Sequence, residues 1–341
     1  MADKDTSRAH YHTFHNVFLY VTERCHLRCR HCYMGSRLAR GSTMPYERAI
    51  AVLDSCKKLG AKSVTLVGGE PALHPDLPRI VEHAVHAGYE KVFIDTNALS
   101  LQQLMRVDPD KVTYIRVSLD GATPEVHDTV RGTGTHSTVI GNIRELVNAG
   151  YKTAITSTVF QFSIKEAPQL LSLAENLGIS LVNYHVFSEE GAGTREPDWS
   201  LSPHDWIRFY EFLEEAKHRY NMSIWYPPTW ATPERLATYV DQGYRGCLGC
   251  SLDRLSIFPD GKCYVCSVLF DLPVHYGSLD EEGHFVLNRD ANEFEMFTQA
   301  VLSASEPWLS GCPAERVLEE GGKRPTPQGL VSVCRCWKSQ V

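Results

Sequence analysis

Along roughly the first 220 residues, short apolar, β-branched runs alternate with longer stretches of helical periodicity. Residues 16–22, NVFLYVT, form a strand-like run that stops at a cluster of cysteines. Residues 45–59 begin with a proline and set Ile50, Val52 and Leu53 on one side of a helix. Cys56 falls near that stripe and reads as a buried core thiol. The alternation continues with strand 63–67, helix 76–88, strand 91–95, a short helix near 100–105 and strand 111–119. Helix 138–149 and strand 152–159 follow, then helix 165–177, strand 180–187 and helix 203–219.

Six strands joined by helical crossovers predict an α/β fold with a parallel sheet covered by helices. The strands are apolar on both faces, as such burial requires. Chemistry in such sheets gathers at the carboxyl ends of the strands. The pattern divides the chain into a tail (1–14), an α/β core (15–226), a proline-rich linker (227–246) and a small cysteine-rich domain (247–341). Within the last, GGKRPTPQG (321–329) reads as a mobile loop.

Composition narrows the class. A net charge of −7 and 22% charged residues give no electrostatic case for nucleic acid or an anionic membrane. No apolar run reaches membrane-spanning length, and residues 1–14 lack the features of a secretory signal, so the expected location is cytoplasmic. Eleven cysteines are many for such a protein, and their odd number and clustering favour metal binding over a disulfide framework.

Three of them, Cys25, Cys29 and Cys32, lie in CHLRCRHC directly after the first strand. Three thiolates from one loop leave a tetrahedral site open, which a catalytic metal centre needs. His26 or His31 would complete a zinc site, whereas closely spaced cysteines commonly hold Fe–S clusters. The second strand ends in Gly68, Gly69 and Glu70, glycines that permit close approach beside a carboxylate able to meet an ammonium group. Later strand ends supply Asn97, Ser118, Asp120 and Arg131, polar groups suited to a nucleoside. Each of these is commonplace in a solvated loop; their convergence on the cysteine loop predicts a cofactor pocket.

These motifs, in this order along the strands, resemble the radical S-adenosylmethionine (radical SAM) superfamily over about residues 14–220. The resemblance lies in the cysteine loop, in GGEP, and in SLDG followed by His127-Asp128 and Arg131-Gly132. It implies a partial (β/α)6 TIM-like barrel with a 4Fe–4S cluster on Cys25, Cys29 and Cys32, S-adenosylmethionine on the remaining iron, and an external one-electron donor of the flavodoxin or ferredoxin type. By the same resemblance Gly68, Gly69 and Glu70 meet the methionine amino end, Ser118 the ribose and Arg131 the carboxylate. His31 would lie against adenine, at a position where the family often has an aromatic residue. The reaction implied is cleavage of the cofactor to a 5′-deoxyadenosyl radical that takes hydrogen from substrate.

In the C-terminal segment, CLGC and CYVC suggest zinc by spacing alone. Placed behind such a barrel, Cys250, Gly261 and Cys266 resemble the opening of a SPASM or twitch extension, with a hairpin turning at Pro259-Asp260-Gly261. This resemblance implies one auxiliary Fe–S cluster on Cys247, Cys250 and Cys266, with a further ligand from Cys312, Cys334 or Cys336, and leaves Cys263 either surplus or a ligand in place of one of these. The full SPASM cysteine run is missing.

About fifteen residues precede the first strand, too few for a leader-peptide-binding module, which tilts the expectation towards a small polar substrate. Length and layout resemble the cytosylglucuronate decarboxylases of nucleoside-antibiotic pathways. A carboxylate substrate would want an arginine clamp, with Arg28, Arg30, Arg37 and Arg195 as candidates, and Glu189 or Glu190 as acid or base. The alternatives are a radical peptide maturase and a non-catalytic zinc-binding protein.

Overall fold

A computed structural model describes residues 14–241, 253–288 and 329–332. The frame is one sheet of eleven strands, which in spatial order are β12-β11-β10-β9-β1-β2-β3-β4-β5-β6-β7. The six expected strands are β1 (Asn16–Thr22), β2 (Ser63–Gly68), β3 (Lys91–Thr96), β4 (Tyr114–Ser118), β5 (Thr153–Val159) and β6 (Leu181–Val186). Neighbours pair in parallel, so every carboxyl end points the same way. Helices α1 (Tyr46–Lys58), α2 (Leu77–His86), α3 (Pro124–Arg131), α4 (Thr135–Asn148), α5 (Ala167–Asn176) and α6 (Pro203–Ala216) make the crossovers. β1 is buried at six of its seven positions because a crossover layer covers one face and the barrel core the other.

The short helix expected near 100–105 is a single 3-10 turn, Leu104–Arg106. Two elements lay beyond the sequence pattern. α3 sits within the polar stretch after β4, and β7 (Ser223–Trp225) adds a seventh parallel strand beside β6. At three residues β7 is too short to show alternation.

The stretch expected as a linker carries β8 (Trp230–Ala231) and α7 (Pro233–Asp241). Beyond it, β9 (Arg254–Ile257) pairs in parallel with β1, Asn16 facing Arg254 and Leu19 facing Ile257. β10 (Lys262–Tyr264), β11 (Gly277–Leu279) and β12 (Phe285–Leu287) then continue the sheet as antiparallel strands. β13 (Val331–Ser332) pairs with β8. The described part of the C-terminal segment therefore extends the barrel sheet instead of standing apart from it. The expected turn is present: Gly261 has a φ of +85°, and its N–H donates to Phe258 O at 2.9 Å. Residues 1–13, Cys247, Cys250, Cys312, Cys334, Cys336 and the loop 321–328 lie outside the described residues.

A buried guanidinium fastens this extension to the barrel. Arg37 is fully buried and donates to Glu23 Oε1 at 2.6 Å, Asp260 Oδ2 at 2.5 Å and Asp271 Oδ1 at 2.6 Å. Its plane also lies 4.3 Å from the Phe258 ring centroid. Glu23 precedes the cysteine loop while Asp260 and Asp271 belong to the hairpin region, so one side chain joins the two. That role differs from the substrate clamp its charge suggested.

Candidate active site

β1 ends at Thr22, whose Oγ1 accepts from Arg24 N–H at 3.1 Å and turns the chain into the cysteine loop. The loop is held from several sides. Arg30 N–H donates to Val130 O at 2.9 Å, Cys32 N–H to Cys29 O at 3.1 Å and Ala192 N–H to Cys32 O at 2.9 Å. Gly68 and Gly69 allow a close approach, and what approaches is the protein itself. A Cβ on Gly68 would run into Thr22 O, and one on Gly69 into Arg24 O. Gly69 N–H donates to Thr22 O at 2.7 Å and Glu70 N–H to Arg24 O at 2.8 Å. The GGE turn therefore braces the root of the cysteine loop.

Glu70 ties the next strand end into the same structure. Its Oε1 accepts from Ala72 N–H at 3.0 Å and Thr96 Oγ1–H at 2.6 Å, and its Oε2 from Asn97 N–H at 2.7 Å. Burial raises its pKa, and these three donors oppose the rise. Oε2 keeps room for one more donor. Asn97 points its Nδ2 towards Cys25 Sγ at 3.8 Å.

The SLDG segment builds a second buried pair. Arg131 Nε donates to Asp120 Oδ2 at 2.6 Å, and Asp120 Oδ1 accepts from Thr158 N–H at 2.8 Å. Burial alone would raise the Asp120 pKa, but Arg131 and the neighbouring histidines outweigh it and hold the carboxyl at about 2. His127 Nδ1 accepts from Asp120 N–H at 3.2 Å, and burial lowers its pKa to about 4. Burial also lowers His31 to about 4, so its ring is neutral; its Nδ1 is buried without a partner, and Phe160 meets it edge-on at 5.6 Å.

These parts surround one cavity of about 500 Å³ at the carboxyl ends of the strands. Cys25, Cys29, Cys32, His31, Gly68, Gly69, Glu70, Asn97, Ser118 and Arg131 all line it. Asp120 does not; it stands behind Arg131 and fixes that side chain. Arg28, Arg30, Arg37 and Arg195 are also missing from the lining, whereas Glu189 and Glu190 belong to it. Sequence reasoning passed over Arg116, which lines the cavity with its Nε on Asp95 Oδ1 at 2.5 Å, and His185 at the end of β6. A polar residue near the end of β6 marks His185, whereas Arg116 stands mid-strand in β4, where a lone charged residue among apolar ones was the available signal. Trp230 of β8 and Ser267 line the cavity from beyond residue 226, and nothing in the local sequence marks them.

The three loop thiols are free, half-buried and raised by desolvation, Cys25 to about 11 and Cys29 to about 12. Three thiols from one loop, with Arg131 beside them and all lining one cavity, suit an iron–sulfur group with one iron left open to a second ligand. Cys56 and Cys263 are different: both are buried, and burial pushes Cys56 up to about 12. Cys263 Sγ donates to Gly261 O at 3.6 Å, and Cys266 is likewise fully buried.

Fold and site together define an α/β barrel protein with three free thiols on an open cavity at its strand ends. Residues 19–174 match the family described as the Radical SAM superfamily, and the chain carries a radical SAM domain. Among curated relatives, it is 30% identical over 208 residues to the AdoMet-dependent heme synthase of Methanosarcina barkeri, covering 58% of each chain. It is 26% identical over 253 residues to a probable GTP 3′,8-cyclase of Saccharolobus solfataricus, covering 72% of this chain and 80% of that one. The chain thus spans little more than half the length of the heme synthase. In fold it is similar to Streptococcus suis SuiB bound to the precursor peptide SuiA, with a TM-score of 0.65, 17% identity and coverage of 78% and 63%. It is also similar to anSMEcpe with bound AdoMet and a peptide, with a TM-score of 0.63, 17% identity and coverage of 85% and 84%. No helix among the described residues is long and apolar enough to cross a membrane.

Proposed function

We propose that this protein is a radical SAM enzyme that takes a hydrogen atom from a small polar substrate, a sugar or nucleoside, held above the cysteine loop. One observation carries the reading: the three thiols and the polar ends of β2 to β6 line a single cavity. When bound, a 4Fe–4S cluster and S-adenosylmethionine supply one-electron cleavage to a hydrogen-abstracting 5′-deoxyadenosyl radical. Cys25, Cys29 and Cys32 would hold the cluster. Glu70 offers Oε2 to the cofactor ammonium group, Arg131 its guanidinium to the carboxylate, Ser118 its hydroxyl to the ribose and neutral His31 its ring to adenine. Asp120 and His127 act from behind, keeping Arg131 charged and oriented.

Around the rest of the cavity, His185, Glu189 and Glu190 give donors and acceptors for hydroxyl and amino groups. The specific reaction within this reading is decarboxylation of cytosylglucuronic acid, with Arg116, held by Asp95 and Thr65, on the cavity wall beside the substrate. An auxiliary Fe–S cluster on Cys247, Cys250 and Cys266, joined by Cys312, Cys334 or Cys336, belongs to the same proposal.

Anaerobic reconstitution with iron and sulfide, then incubation with reductant, S-adenosylmethionine and cytosylglucuronic acid, tests it by mass spectrometry. The expected products are 5′-deoxyadenosine and a decarboxylated nucleoside. Cofactor cleavage without that product removes the substrate and leaves a precursor peptide as the next one to try. A colourless protein holding zinc and no iron removes the enzyme reading altogether. An iron content of about eight per chain supports the auxiliary cluster, and about four removes it.

A further inference from the structure

A carbon radical made in the cavity has to end as a closed-shell product, so the side chains able to return a hydrogen atom to it matter. Thiol S–H and phenol O–H bonds break homolytically more easily than the C–H bonds of a sugar. Among the described residues lining the cavity, the thiols are Cys25, Cys29 and Cys32, and the phenol is Tyr33. The three thiols are committed to the cluster in the proposed reading. Cys56, Cys263 and Cys266 are buried and do not line the cavity. Tyr33 is thus the donor of this kind that remains on the described wall.

The fold holds Tyr33 by its backbone and by its hydroxyl. It follows Cys32 directly, and a Cβ on Gly191 would sit 2.3 Å from its carbonyl oxygen, so the 3-10 turn Gly191–Arg195 packs against its main chain. Its hydroxyl meets the Tyr20 hydroxyl at 2.6 Å. Tyr20 lies in β1, is fully buried and does not line the cavity, so the pair runs from the wall into the core. There the Tyr20 ring stacks on Phe258, centroids 4.0 Å apart, and the Tyr33 ring lies 6.3 Å from Phe270. Either hydroxyl of the pair can donate. With Tyr20 donating, the bond persists when Tyr33 gives up its own hydrogen, and it steadies the oxygen left behind.

We propose that Tyr33 gives its phenolic hydrogen atom to the carbon radical formed on the substrate. The inference rests on the proposed function and extends it from the abstraction of hydrogen to the quenching of the radical. In that step the O–H bond of Tyr33 breaks homolytically and a C–H bond forms, the proton and one electron passing together to carbon. The substrate radical is reduced to a closed-shell product, and Tyr33 is oxidised to a neutral phenoxyl radical. One electron from a low-potential reductant, dithionite in the assay, and one proton from water restore the phenol.

Abortive turnover in D2O without substrate reads the reach of this phenol, whatever the substrate is. The phenolic hydrogen exchanges to deuterium, so 5′-deoxyadenosine from the native protein should carry one deuterium, and that labelled fraction should fall about tenfold in Tyr33→Phe. Unlabelled 5′-deoxyadenosine from the native protein overturns the inference, as does equal labelling from both proteins. With cytosylglucuronic acid present, product per 5′-deoxyadenosine should fall about tenfold in Tyr33→Phe and about twofold in Tyr20→Phe, which keeps the donor and removes only its hydrogen-bond partner. Should Tyr33→Phe lose iron, native protein grown on ring-deuterated tyrosine decides. A phenoxyl EPR signal that narrows on labelling, in a single turnover with one reducing equivalent, supports the donor, and its absence overturns it. Native protein that forms no 5′-deoxyadenosine removes the proposed function and the inference with it. Cleavage whose labelling and product are indifferent to Tyr33 removes the inference alone.

Discussion

The cysteine loop and the C-terminal hairpin carry similar strings of cysteines in opposite surroundings. CHLRCRHC leaves the end of β1 and turns its thiols to the cavity rim, where all three remain half-buried. KCYVC lies in and just after β10, and Cys263 and Cys266 are fully buried. Cys263 comes close to Cys56 and Arg48 of α1, and burial pushes its thiol well above the ordinary range. A cysteine becomes a ligand by sitting where a strand runs out into an open cleft. Cys263, inside a covered strand, is a small apolar side chain with a weak donor.

The largest test of this contrast is Cys29→Ala. It should abolish iron binding at the loop and reduce 5′-deoxyadenosine formation by at least about a thousandfold. Cleavage retained by that variant would break the comparison at its first term. Next comes the guanidinium that joins the two regions. Arg37→Ala strands the buried Glu23 carboxylate and loosens Asp260 and Asp271, and should cost about 4 kcal/mol in denaturant unfolding. A loss below about 1 kcal/mol would mean that hairpin and loop are not coupled through it.

Acid provides a third test, on the barrel side alone. His127 has a folded pKa of about 4, below its ordinary value of 6.5, so the unfolded chain takes up a proton before the folded one does. Its contribution is complete above pH 6.5 and is lost as pH falls towards 4, about 3 kcal/mol in all. His127→Gln should flatten that part of the stability profile, measured by urea titration at several pH values; an unchanged slope would reject the assignment. The smallest effect is expected from Cys263→Ala, a loss of about 1 kcal/mol with no change in iron content. Iron lost on that substitution would make the hairpin thiol a ligand and erase the contrast.

The strand and crossover pattern of the barrel was legible because each element is long enough to show its period. β1 is matched from residue 16 to residue 22, and the other five expected strands differ from the structure by at most a few residues at their ends. The cavity lining was legible for a related reason: in a parallel sheet the residue after a strand is at the rim, so Glu70, Asn97 and Ser118 could be placed there without coordinates. Asp120 shows the limit of that rule. It lies two residues past the end of β4, and α3 brings Arg131 in front of it.

Local sequence therefore determined the order of strands, the positions of their ends and the chemistry offered there, because periodicity and punctuation act over a few residues. Long-range packing alone decided that β9 joins β1 across more than two hundred residues of chain, and that Arg37 binds carboxylates from three segments. It also decided that Gly35 and Gly191 pack backbone to backbone beside the cysteine loop. Such contacts depend on sterics and charge between segments remote in sequence, so no window of neighbouring residues contains them.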